Sequence, residues 1–127
     1  MLKQDKSSVK STSISGLFVI ERPIFSDERG FFHEVFRMNE LKEATGVDFK
    51  PVQTSHSHNL PRVIRAVHTE GWNKLVYPVS GKLFVAIADV RVESDTFLKV
   101  ETFVFDADDP NSTHAALFLP AGIGNSL

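Results

Sequence analysis

The sequence predicts an all-β domain, either an antiparallel sandwich or a small barrel, with one short helix. From residue 49 onward, short apolar runs alternate with turn signals, which is typical of antiparallel folds. Eleven Phe residues against one Tyr and one Trp fit a β-rich core. With 127 residues, the chain is long enough to bury one core but not two.

Eight segments carry a strand pattern between turns: residues 14–21, 31–36, 49–57, 63–68, 74–79, 82–91, 98–105 and 115–120. Segment 82–91 is almost wholly apolar, which predicts a strand covered on both faces. The helix is expected over 39–45, with Asn39 as the N-cap and Gly46 as a left-handed stop.

The two ends of the chain show different patterns from the middle. Residues 1–13 are rich in Lys and Ser, which predicts a flexible tail before a single domain over 14–127. Residues 122–127 read as a loop directly after a strand. We therefore expect either a shortened protein or a neighbouring subunit that covers this edge, since bare edges invite pairing.

Composition excludes several classes of function. The formal charge is −2 with both signs interspersed, which argues against a nucleic-acid or membrane-surface partner. No apolar run approaches the length of a membrane span. The absence of cysteine excludes disulfides and thiolate zinc sites and fits a cytoplasmic protein.

His56 and His58 form a His-x-His pair of the kind that holds a metal in many small barrels. Such a site also needs a nearby carboxylate and a third His. The next Glu is the distant Glu70, and Asn125 stands where a later His would be needed. We therefore favour two loop-end histidines over a metal site.

Residues 27–34 combine acidic residues with Arg29, a Gly and two Phe. One interpretation is a charged turn that enters a strand. The other is a phosphate clamp, because an Arg fork beside an aromatic wall suits a diphosphate. The spacing alone leaves both open.

The stretch 65–76 places Arg65, His68 and Lys74 among apolar residues, with Asp89 and Arg91 on the next apolar strand. Such charges mark either an internal salt-bridge network or a site. A His that takes a proton and a Lys that holds an oxyanion are the minimum for removing a proton next to a carbonyl. Arg65 and His68 are out of phase in a regular strand, so they share a pocket only if a bulge lies between them.

Several motifs in consistent order and spacing identify a resemblance. They are Asp27-Glu28-Arg29-Gly30-Phe31-Phe32 with Glu34, Gln53 with Ser55 and Ser57, Val63-Ile64-Arg65-Ala66-Val67-His68, Lys74-Leu75-Val76, Gly81, Asp89-Val90-Arg91, Ser94-x-Thr96-Phe97 and Leu119-Pro120-Ala121-Gly122. The chain from about residue 14 resembles the dTDP-4-dehydrorhamnose 3,5-epimerase family and related dTDP-sugar epimerases.

The resemblance implies a cupin-type jelly roll that works without metal or cofactor, as a homodimer that exchanges strands. His68 matches the general base, Lys74 the residue that stabilises the enolate oxygen, and Asp89 an active-site partner. The implied substrate-binding positions are Arg29, Phe32, Glu34, Gln53, Ser55, Arg65 and Asn125.

The chain also departs from the family pattern. Ala66 stands where the family has a Gly, and Asn125 where it has a His. The family's proton-donating Tyr and the Asp that orients the base fall beyond residue 127. Tyr77 is a poor substitute, since its odd offset from Lys74 puts it on the opposite strand face.

The implied function is epimerisation at C3 and C5 of a dTDP-4-keto-6-deoxy sugar in the cytoplasm. Alternatives are a single-centre 3-epimerase, a ketoisomerase, and a non-catalytic cupin that binds a nucleotide-sugar. A metal-dependent cupin oxygenase is a more distant alternative.

Overall fold

The computed structural model describes residues 7–127, and apart from one short helix its regular elements are antiparallel strands. The elements are β1 (Ser8–Ser11), β2 (Phe18–Glu21), β3 (Ile24–Asp27), β4 (Gly30–His33), α1 (Met38–Thr45), β5 (Lys74–Val76), β6 (Lys82–Ala88), β7 (Val100–Asp106), β8 (Ala115–Leu119) and β9 (Gly124–Ser126). One sheet has the order β1-β2-β8-β5 and the other the order β7-β6-β9, while β3 and β4 form a separate hairpin. The predicted all-β jelly roll with one short helix is confirmed.

The core is built in two layers on either side of the four-stranded sheet. Between the two sheets lie buried apolar side chains from both: Ile14, Leu17, Val85, Ile87, Phe105, Ala115, Leu117, Leu119 and Ile123. On the other side, α1 and the segment after it cover a second cluster: Ile20, Leu41, Phe49, Ala116 and Phe118. Strand β8 contributes to both layers, and all five of its residues are buried.

The strand covered on both faces is therefore β8. The prediction that segment 82–91 would be covered on both faces is wrong. In β6 the burial alternates, because the strand lies in the outer three-stranded sheet and only one of its faces meets the core. Phe84 remains 60% exposed on the other face.

Both chain-end predictions also need correction. Ser8–Ser11 is not part of a tail, because it pairs with β2 along its whole length, and Val9 packs against the second cluster; residues 1–6 lie outside the described residues. The expected loop at 122–127 contains β9, which pairs with β6. The predicted strands 49–57 and 63–68 are not regular strands, and His68 forms only an isolated bridge. Ile24–Asp27, for which the sequence predicts no strand, is β3.

Helix α1 is confirmed, although it begins earlier than predicted. Its N-cap is Arg37, which makes no side-chain capping bond, and Asn39 lies inside the helix. Gly46 ends it in the left-handed conformation with φ 77°, as predicted. Leu41 is its buried anchor. Within residues 7–127, no helix is long and apolar enough to cross a membrane.

Candidate functional site

A bulge brings Arg65 and His68 to one face of the outer sheet. Arg65 exchanges both backbone hydrogen bonds with Leu127 (2.9 Å each), and His68 does the same with Asn125 (3.0 and 2.9 Å). Two residues, 66 and 67, therefore face the single residue 126, which is the pattern of a β-bulge. Because of this extra residue, Arg65 and His68 lie on the same face of the sheet. The bulge that the sequence requires between them is therefore present.

The bulged segment lies close against β9. A Cβ atom on Gly124 would be 2.8 Å from a methyl carbon of Val67, so only glycine leaves room for the Val67 side chain at this position. Directly opposed residues of an antiparallel pair share a face, so His68 lies on the same face as Asn125. The His68 side chain is exposed.

Lys74 reaches this face from the other sheet. In β5, Val76 packs into the core between the sheets, whereas Leu75 and the following Tyr77 pack on the helix side. Lys74 shares the phase of Val76 and so points between the sheets. Its Nζ donates to Oδ1 of Asn125 (2.6 Å) and forms an ion pair with Glu70. The structure thus brings His68, Lys74 and Asn125 together, with Glu70 as a fourth member.

Glu70 has no predicted role, yet it contacts the central ammonium. Its carbonyl accepts the Gly122 N–H (2.8 Å), which fixes its backbone beside the turn before β9. The sequence does carry a signal for it, since Glu70 precedes Lys74 by four residues. That spacing is usually interpreted as a helical pair, and no helix lies here.

Asp89 belongs to a separate network. The carboxylate is fully buried and accepts hydrogen bonds from the Arg91 backbone and guanidinium, from Ser94 (2.6 Å) and from Thr96 (2.6 Å). The Arg91 guanidinium is the largest of the causes that hold the pKa of Asp89 well below its usual range. Arg91 also donates to the Ser15 carbonyl (2.7 Å), which ties the β6–β7 connection to the start of the domain. No hydrogen bond within residues 7–127 joins Asp89 to Lys74, and the catalytic role of Asp89 stays a prediction.

The β3–β4 hairpin carries an open groove of about 360 Å³ lined by residues 25–27 and 29–32. Arg29 pairs with Asp27 and has a side chain that is 83% exposed. Phe32 is 67% exposed. Ser26 Oγ is the one buried side-chain polar atom within residues 7–127 that has no hydrogen-bond partner. The hairpin is thus both a charged turn and an exposed aromatic surface with a guanidinium.

The remaining predicted binding residues lie in two other places. Glu34 pairs with the buried Arg22 and with Arg37, and the Arg37 hydrogen bonds do most to lower its pKa to about 2. Gln53 and Ser55 are exposed on the irregular segment after α1. No hydrogen bond within the described chain joins Glu34, Gln53 or Ser55 to Lys74.

Arg65 shares the face of His68, but its guanidinium turns toward the preceding loop. It donates to Oδ1 of Asn59 (2.6 Å) and to the His58 carbonyl (3.3 Å). Asn59 in turn donates to the carbonyl of Leu127 (3.3 Å). His56 and His58 are exposed on this loop, and no group of three possible metal ligands was found among residues 7–127.

A second polar cluster lies on the helix side of β5. Tyr77 is 3.0 Å from Nδ1 of His33, whose Nε2 is 3.2 Å from the Arg22 carbonyl. Because that carbonyl only accepts, His33 donates from Nε2 and accepts the Tyr77 hydroxyl proton at Nδ1. Burial is the main cause that lowers the pKa of His33. Tyr77 thus faces away from Lys74, in agreement with its phase.

The exposed imidazole of His68 and the Lys74 ammonium held by Asn125 and Glu70 define a candidate acid–base site. The dTDP-4-dehydrorhamnose 3,5-epimerase family matches residues 11–127. The chain is 36% identical to a dTDP-4-dehydrorhamnose 3,5-epimerase of Shigella flexneri over 94% of its own length and 66% of the relative. It is 34% identical to a dTDP-4-dehydro-6-deoxyglucose 3-epimerase of Streptomyces bikiniensis over 91% of its length and 59% of the relative.

Solved structures agree on the fold. RmlC from Streptococcus suis, in complex with dTDP-D-xylose, superposes with a TM-score of 0.74 at 24% identity. The match covers 96% of this chain and 62% of that one. The chain belongs to the dTDP-4-dehydrorhamnose 3,5-epimerase family. It spans less than two thirds of the length of these relatives.

Proposed function

We propose that the protein is a dTDP-sugar epimerase that converts dTDP-4-keto-6-deoxy-D-glucose to dTDP-4-keto-L-rhamnose. The observation that carries the proposal is that Asn125 links His68 and Lys74: it pairs with His68 through the backbone and accepts a hydrogen bond from Lys74 Nζ. The Shigella flexneri relative, which bears the name of this activity, supports the choice of substrate. We place the protein in the cytoplasm, where nucleotide-sugars are made and used.

The chemistry follows from the 4-keto group, which acidifies the C–H bonds at C3 and C5. His68 takes the proton, and the C–H electron pair moves to form a C=C bond while the carbonyl π electrons become an enolate oxygen. Lys74 donates an N–H to that oxygen, where negative charge develops. A donor on the opposite face then returns a proton to carbon, which inverts the centre and restores the carbonyl.

The nucleotide is held at a distance from this chemistry. The exposed Arg29 on the hairpin groove suits a diphosphate, and Phe32 offers an aromatic face to the base. Glu34, Gln53, Ser55 and Arg65 complete the proposed binding set. Because the hairpin pairs with neither main sheet, it is suited to reach a second subunit, and we propose a homodimer in which it does so.

The test is NMR of dTDP-4-keto-6-deoxyglucose incubated with the protein in deuterated water. Deuterium at both C3 and C5 is the expected result. His68→Asn should abolish the exchange while the melting temperature stays close to that of the parent, because His68 is exposed. A folded parent that introduces no deuterium contradicts the proposal. A variant as active as the parent removes His68 from the mechanism.

The second candidate is a 3-epimerase that acts at one centre. The observation in its favour is the Streptomyces bikiniensis 3-epimerase, which is nearly as similar to this chain as the 3,5-epimerase. Deuterium at C3 alone would identify this activity. Saturable binding of dTDP without exchange would instead identify a non-catalytic nucleotide-sugar-binding protein.

A further inference from the structure

We propose that Glu70 is a positioning residue for Lys74: together with Asn125 it leaves the ammonium one N–H to offer and fixes the direction of that N–H. The inference rests on the proposed function, because it specifies how Lys74 meets an enolate oxygen. The Glu70 side chain does not need to touch the substrate for this role.

Contacts on both sides of the ammonium support this. Glu70 pairs with Nζ from the turn that follows the bulged segment, and Asn125 accepts from Nζ at 2.6 Å from β9. Both partners have fixed backbones, since Gly122 donates to the Glu70 carbonyl and Asn125 exchanges two hydrogen bonds with His68. The side chains of Lys74 and Glu70 are 21% and 29% exposed, so this pair is partly shielded from bulk water.

The donor count gives the consequence. A lysine ammonium has three N–H donors in a tetrahedral arrangement. With one donated to Glu70 and one to Asn125, the direction of the third is determined by the other two. A lone lysine on a flexible stem would lack such a direction, because the ammonium acts as a point charge with rotatable donors.

The charge of Glu70 has a second consequence. It offsets the positive charge of Lys74 in the resting site, so Lys74 adds little attraction for the anionic nucleotide. Its N–H then serves mainly the charge that develops during the reaction, and interactions of that kind raise kcat rather than lower KM. Removing the carboxylate should therefore affect the two constants differently.

The kinetic test is Glu70→Gln, which keeps the shape and removes the charge. We expect kcat to fall about tenfold to a hundredfold, because small misplacements of an aligned group cost this much. KM should stay unchanged or fall, since a negative charge near an anionic substrate is gone. Glu43→Gln, the same change on the exposed face of α1, is the matched control and should equal the parent. An unchanged kcat, or a loss expressed as raised KM, overturns the proposal.

A second readout does not depend on turnover. An N-hydroxysuccinimide ester acylates free amines, and peptide mass spectrometry gives the rate at Lys74, with Lys82 (80% exposed) as reference within each sample. An ammonium held by two acceptors must leave one of them to react, and a neutral amide holds it less tightly than a carboxylate does. Lys74 should therefore be acylated about twofold to fivefold faster in Glu70→Gln than in the parent. Equal rates at Lys74 in parent and variant overturn the proposal.

The two readouts separate this inference from the proposed function. If the folded parent shows no deuterium exchange but Glu70→Gln still exposes Lys74 to acylation, the epimerase proposal fails and the positioning of Lys74 stands. If the parent is active and the acylation rates are equal, the epimerase proposal stands and the positioning of Lys74 by Glu70 is overturned.

Discussion

Lys74, at the start of β5, and Asp89, directly after β6, are charged groups of the same barrel. They differ in the hydrogen-bonding capacity that their partners leave free. The buried Asp89 carboxylate accepts five hydrogen bonds from Arg91, Ser94 and Thr96. Lys74 is 21% exposed and has two acceptors for three donors. One network is closed, whereas the other keeps a donor for something outside the protein.

This difference separates a group that holds the fold from one that is available for chemistry. A carboxylate with a depressed pKa and every oxygen occupied is poorly suited to accept a proton near neutral pH. A partly exposed ammonium beside an exposed imidazole has no such restriction. Charge on an apolar strand is therefore not enough to mark a site; the remaining hydrogen-bond capacity is the better criterion.

The largest effect on stability is expected for Asp89→Asn. It removes the charge that compensates Arg91, and breaking a buried pair from one side costs about 3–5 kcal/mol in the free energy of unfolding. Urea unfolding measures this loss. Asp95→Asn, at an exposed position of the same connection, should stay within about 0.5 kcal/mol of the parent. A stable Asp89→Asn protein that has lost deuterium exchange would show that Asp89 acts in catalysis, as the sequence predicts.

The opposite pattern is expected for Lys74→Met. Turnover should fall by about 10²–10³-fold, the usual cost of removing one donor to a developing oxyanion. The free energy of unfolding should change by less than about 1 kcal/mol, because the pair with Glu70 is partly exposed. Lys82→Met, on an outward and largely exposed side chain, is the control for a lost lysine. Normal turnover in Lys74→Met would show that the free N–H of Lys74 has no role in the reaction.

Acid should weaken the hydrogen-bond network around Asp89. The folded-state pKa of Asp89 lies below its unfolded value, so its stabilisation is complete above the ordinary range of an Asp and is lost as the pH falls through and below that range. Glu34, whose pKa is about 2, behaves in the same direction. Between pH 5 and pH 2.5 the urea midpoint should fall less steeply in Asp89→Asn than in the parent. Parallel slopes would indicate that Asp89 does not contribute to acid sensitivity.

Part of this fold is predictable from local pattern and part is not. The helix stop at Gly46 and the strands β5, β6 and β7 follow from residue type and periodicity. Residue type and periodicity do not show which strand is buried on both faces, because segments 82–91 and 115–120 are both apolar. Only the packing of the second sheet on one face of β8 and of α1 on the other decides that β8 is the strand buried on both faces.

The candidate site shows the same limit. The sequence predicts that Arg65 and His68 share a face only through a bulge, and the hydrogen bonds of Leu127 and Asn125 confirm the bulge. The same pattern does not reveal Glu70 or the closure around Asp89. Both depend on a turn whose residues contact the strand end next to it: Glu70 contacts Lys74, and Ser94 and Thr96 contact Asp89.

The smallest expected effect concerns Arg29. Its ion pair with Asp27 is exposed to solvent and does not pack against the core. With an 83% exposed side chain, Arg29→Lys should leave the free energy of unfolding unchanged within about 0.5 kcal/mol. The affinity for dTDP should fall by about fivefold, because lysine cannot form the two parallel hydrogen bonds that a guanidinium offers a phosphate. Calorimetric titration with dTDP measures this, and Arg62→Lys, outside the hairpin groove, is the control. If dTDP binds both variants with the affinity of the parent, the hairpin is only a charged turn. The exposed charge of Arg29 would then have no more of a binding role than the enclosed charge of Asp89.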